Sequence, residues 1–340
     1  MMKAKRFTSL ALGLSFLTHL GLALANPAGS VYTANERAAS ISQVDLSTGA
    51  VSTVALPIAP HNVQVSPDGS LLLVVGISGH AGHSSGDKTG GQLLVFSTTA
   101  LDRPLFSLPA GDHPAHVVTD SKGQLAFVTD SAANRVRVFD LTQQTELSSI
   151  PTGRYPHGLR LSPDGKTLYV ANMRSDSVSL IDVATLKETV QVPVGKAPVQ
   201  VGFAPDGRLA FVSLSAANQL GIIDTAGRKV VGTVDVGRTP IQMMATVDGR
   251  QVYVANQGSA QNPDDRVSIV DPQTRSPIGT VTTGKGAHGV AISTDGSYVF
   301  VSNIEAGTVS VIDTDSRKVV GTYKVGAGPN GISYKPPKAE

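Results

Sequence analysis

A short apolar segment closed by Asp, or by Ser in one copy, recurs seven times: ISQVD (41–45), LLVFS (93–97), VRVFD (136–140), VSLID (178–182), LGIID (220–224), VSIVD (267–271) and VSVID (309–313). Upstream of six copies lie a polar turn and a second apolar segment, as in SPDG then LYVAN, APDG then LAFVS, or STDG then VFVSN. Asp140, Asp182 and Asp224 are 42 residues apart. Each segment is short, rich in Val, Ile, Leu, Phe and Tyr, and bounded by Gly, Pro, Asp or Asn, which is the signature of strands and hairpins. A period of 40 to 45 residues with about four strands is what a propeller blade requires, because one small sheet buries its faces only against its neighbours. The expectation is an all-β, seven-bladed β-propeller.

The chain ends fit a closed ring. PNGISY (329–334) opens an eighth unit whose remainder is missing, and VYTANER (31–37) begins partway through a unit. Joined, they complete one clasp blade and hide the edges that an open array of sheets exposes.

Residues 1–25 read as a secretory signal peptide. Lys3, Lys5 and Arg6 precede an apolar stretch from Leu10 to Leu22, and Ala23-Leu24-Ala25 offers a cleavage site. The stretch is too short and too interrupted by Ser15, Thr18 and His19 to span a bilayer comfortably. A single domain over residues 26–340, periplasmic or secreted and with no membrane span, is therefore expected. There is no cysteine, so the packed core alone must hold the fold. Removing the three basic residues of the signal from 28 Lys+Arg against 26 Asp+Glu leaves the remainder near −1, and net charge makes no argument for nucleic acid.

LYVAN, VYVAN and VFVSN, followed by VSLID, VSIVD and VSVID, resemble the YVTN-repeat β-propellers, including the bacterial YncE-like periplasmic proteins. The resemblance covers residues 31–334 and implies the fold. It leaves function open, since its members include surface proteins, nucleic-acid binders and relatives of haem- or metal-containing enzymes. With no Trp, the chain does not resemble the WD-repeat propellers.

In such propellers the segment before each innermost strand and the loop after each VAN-like strand share one rim, here called the top. Both conspicuous insertions, Gly76 to Gly91 and Asn256 to Arg266, are expected there, where loops on a rigid frame carry recognition. The histidines sort the same way: His61 in PHNV, His116 in PAHV, His157 in PHGL and His288 in AHGV, with Asn330 in PNGI at the equivalent place in the clasp. His80 and His83 sit in GHAGHSSGD on the first insertion. Neutral imidazoles converging from several blades suit Zn(II), Cu(II) or Ni(II). Pro-x-His shifts His116 by one position from the Pro-His pattern, so strand alternation is expected to make it the weakest member. The plain alternative is that the histidines only pack the channel wall.

A second arc is cationic. Arg154, Lys196, Arg238 and Lys285 each follow the glycine of a connection between blades, and Arg174 follows a VAN segment. Such an arc suits a small anionic ligand or single-stranded DNA, and the top face could also receive a protein partner. No G-x-S-x-G or H-E-x-x-H motif marks a hydrolase, and no residue pattern matches a lactonase site. A binding protein with Zn or Cu as ligand comes first, anion or single-stranded DNA binding second, and a propeller enzyme such as a lactonase third.

Overall fold

The computed structural model describes residues 27–78 and 90–338. All regular structure among them is strand, and the strands form seven four-stranded antiparallel sheets, each one blade. The first blade is composite: Pro329–Lys335 from the C-terminal end pairs with Ser30–Asn35 from the N-terminal end, Ile332 opposite Thr33. Ser40–Asp45 and Val51–Ala55 complete it outward. The expected clasp is thus present. The signal segment and the pair His80 and His83 lie outside the described residues.

Most inner strands are buried on both faces, which explains their nearly continuous apolar runs. Alternation sends successive side chains to opposite neighbours. Val31 packs toward the last blade, whereas Tyr32 and Ala34 pack toward the second. One apolar cluster lies at each of the seven junctions between blades. The junction across the chain ends, built around Phe300, Val309 and Val44, is packed like the others.

The repeated polar residues hold the frame. Asn172 Nδ2 donates to Ser177 Oγ at 3.1 Å and Ser179 Oγ at 2.8 Å, and Asn35 and Asn303 make the same pair of bonds in their own blades. Gly153 must be glycine because a Cβ there would lie 2.6 Å from Asn172 Nδ2. The strand-closing aspartates cap turns, as Asp140 Oδ1 does by accepting from the backbone of Thr142 and Gln143, both at 2.8 Å.

Candidate functional site

The innermost strands Ile58–Val65, Pro114–Thr119 and Pro156–Leu161 of the second, third and fourth blades line one arc of the channel. Each carries a register irregularity just after its proline. In the fourth blade Pro156 faces Asn172 but Leu159 faces Val170, so one extra residue stands on the inner strand. The second and third blades are irregular at the equivalent place. A bulge breaks strict alternation. Two consecutive positions can then serve the mouth, and His116, at the second, meets His61 and His157, at the first.

Alternation therefore does not turn His116 away from the others. Its ring centroid is 4.8 Å from that of His157 and 5.8 Å from that of His61. One ligand atom from each of the three lies within 4.8 Å of the others. His288 is not in this cluster. It lies across the clasp blade, its Nδ1 at 3.0 Å from Asn330 O.

The hydrogen bonds assign the protons. A carbonyl can only accept, so Val199 O, 3.2 Å from His157 Nδ1, places the proton there and leaves the Nε2 lone pair in the mouth. His61 Nε2 lies 3.3 Å from His157 Nε2 and donates to that lone pair. Behind His61, Nδ1 is 3.1 Å from Asn330 Nδ2 and 3.3 Å from Glu36 Oε2. Val201 N–H donates to Gln200 Oε1 at 2.9 Å, which turns Gln200 Nε2 toward His116 Nδ1 at 3.3 Å. The His116 proton therefore sits on Nε2, a buried atom with no partner among the described residues.

Burial keeps the His116, His157 and His288 imidazoles neutral. It pushes His157 down to about 3, the charge of His61 adding to it against the bond to Val199 O. It likewise pushes His288 down to about 4. His116 is driven well below the ordinary histidine value by burial and then by His157, His61 and Arg160. Burial alone would raise Glu36, but the neighbouring His61, the bond from Asn330 and the charge that His61 and His288 carry when protonated hold it at about 2.

The cationic arc is partly neutralised. Lys196 Nζ is 2.6 Å from Asp176 Oδ2, and Arg238 Nε is 3.6 Å from the buried Asp264, which also holds Arg266. The Arg174 guanidinium lies 4.2 Å over the Tyr155 ring. Arg154 and Lys285 remain exposed. Glu36 and Gln200 were not singled out from sequence. Gln200 occupies the position of His116 two blades on, and Glu36 follows the VYTAN strand at the rim, so repeat alignment held the signal for both.

Residues 108–262 match the family of YNCE-like β-propellers, in agreement with the repeat resemblance, and residues 209–325 match the cytochrome D1 heme domain. A search of curated proteins gives no match. Among solved structures, a functionally unknown protein from Desulfotomaculum acetoxidans DSM 771 superposes with a TM-score of 0.75 at 17% identity, over 92% of this chain and 100% of that one. A candidate 6-phosphogluconolactonase from Bacteroides uniformis ATCC 8492 gives 0.73 at 17% identity, over 90% and 99%. Kuenenia stuttgartiensis hydrazine synthase gives 0.67 at 20% identity, over 81% and 89%. At these identities the likeness is one of fold.

Proposed function

We propose that this protein is an exported metal-binding β-propeller that takes Zn(II) or Cu(II) on His61, His116 and His157 at one end of its channel, in the periplasm or outside the cell. The observation that carries the reading is the 3.3 Å between the Nε2 atoms of His61 and His157. Zn–N bonds of about 2.0 to 2.1 Å in a tetrahedron require an edge of about 3.3 to 3.4 Å. The pair already has the separation of two ligands on one ion.

The atoms behind the rings support the same reading. Metal-bound imidazoles usually donate their other N–H to a carboxylate or carbonyl. Val199 O fills that role for His157, and Glu36 Oε2 stands ready for His61 once its proton moves from Nε2 to Nδ1. His116 must change as well. To ligate through Nε2 it has to carry its proton on Nδ1, against the Gln200 amide nitrogen. Rotation of Gln200 is the adjustment that loading demands.

Calorimetry with chelator-buffered Zn(II) and Cu(II), on protein carrying no affinity tag, tests this. One equivalent should bind near pH 7.5, His157→Ala should lose about 100-fold or more in affinity, and the His80/His83 double alanine variant should lose less. Gln200→Glu supplies an acceptor for Nδ1–H and should tighten binding about tenfold. Wild-type protein that binds neither metal above the nonspecific level sinks the reading, leaving the histidines as channel-wall packing.

A further inference from the structure

Beyond the histidine tier the inner strands line a second space. There Arg160 lies opposite Tyr169, and its counterparts are Val118 opposite Phe127, Met244 opposite Tyr253, Ala291 opposite Phe300 and Ser333 opposite Tyr32. These five residues line one cavity of about 360 Å³, within the size range of small-molecule sites. Arg160 is the one cation among its lining residues.

Arg160 has no ion-pair partner among the described residues. Its single hydrogen bond runs from Nη1 to the adjacent Leu159 O at a long 3.4 Å, leaving most of a five-donor fork unused. The lining carboxylate of Asp120 is engaged elsewhere, Oδ1 accepting from the backbone of Gln124 at 2.7 Å and Leu125 at 3.0 Å. Burial lowers Arg160 to about 10, which leaves it charged at neutral pH. Arg160 is partly buried, and a cation that has lost part of its water gains from a pairing anion. Ser333 Oγ accepts from Val65 N–H at 3.0 Å, so its own hydrogen is free to donate. Val118 and Ala291 are nearly buried and contribute apolar wall.

We propose that this cavity is a binding site for a small organic carboxylate, its carboxylate on the Arg160 guanidinium and its short aliphatic body against Val118, Met244 and Ala291. Arginine matches a carboxylate with two parallel N–H···O bonds. The apolar wall distinguishes an aliphatic acid from an inorganic anion, which would leave that wall unused. The site is separate from the histidine cluster and needs no metal.

The test uses chelator-treated full-length protein in low-salt buffer, with butyrate and inorganic phosphate as probes in calorimetry. Butyrate should bind more tightly than phosphate by about tenfold or more, Arg160→Gln should lose about tenfold or more, and Arg160→Lys should retain part of the affinity. Because a channel substitution can disturb folding, wild-type protein provides a second reading. Butyrate should slow modification of Arg160 by phenylglyoxal, mapped by mass spectrometry, and leave the exposed Arg208 unaffected. The assignment is overturned if butyrate neither binds nor protects Arg160, or if phosphate binds as tightly as butyrate.

Discussion

Two arcs of the channel mouth share one backbone and differ in chemistry. At the position after the inner-strand proline, the second and fourth blades carry His61 and His157, whereas the fifth and sixth carry Val199 and Ile241. At the next position the third blade has His116 and the fifth and sixth have Gln200 and Gln242. The register irregularity is the same on both arcs. The frame therefore does not decide where the titratable chemistry lies. A few side chains at two positions of the repeat do, and the amide arc supports the imidazole arc through Val199 O and Gln200.

The strongest way to break this comparison is to open the frame. Deleting residues 329–340 removes the inner strand of the clasp blade and with it Ile332 from the junction core. Because both arcs hang on one closed ring, cooperative unfolding should be lost, with aggregation on size-exclusion chromatography. A truncated chain that melts like the full one would mean that the arcs stand on independent units.

A middle-sized effect sharpens the contrast in acid. The folded values of about 3 for His157 and about 4 for His288 lie below the ordinary 6.5, so the unfolded chain binds the protons. Their stabilising contribution is complete above pH 6.5 and falls away as pH drops toward those folded values, at a cost of about 2 kcal/mol per group by pH 5. Glu36 acts in the same direction in a lower window, between its ordinary 4.5 and about 2. His288→Asn, which copies the residue at the clasp position, should remove one such share from the difference in urea stability between pH 7 and pH 5. An unchanged difference would show that His288 is not buried neutral.

The smallest effect concerns the rim. Lys196 is exposed and its ion pair with Asp176 is a surface pair. Lys196→Ala should leave the midpoint of denaturant titration essentially unchanged. A clear loss would make that pair part of the frame rather than of the solvated face.

Much of this was legible from residues alone. Seven strand-closing segments, the polar turns between strands and the split unit at the chain ends specified blade number and closure, because strand period and turn chemistry are local properties. The placement of His61 and His157 at the start of inner strands was readable for the same reason. That His116 faces His61 and His157 was not readable, because strict alternation is suspended by a bulge, and a bulge is defined by pairing with the neighbouring strand. Glu36 and Gln200 stayed hidden because their parts depend on which nitrogen of a histidine they face.

The sequence by itself determined a ring of seven blades and the set of residues offered to its channel. Only the tertiary structure decided which of them meet: His61, His116 and His157 converge, His288 stands apart, and Arg160 faces a cavity with no ion-pair partner among the described residues. The physical reason is that these neighbours come from strands in different blades, far apart in the chain. Their distances and proton positions are set by blade-to-blade packing and backbone carbonyls, which no local pattern encodes.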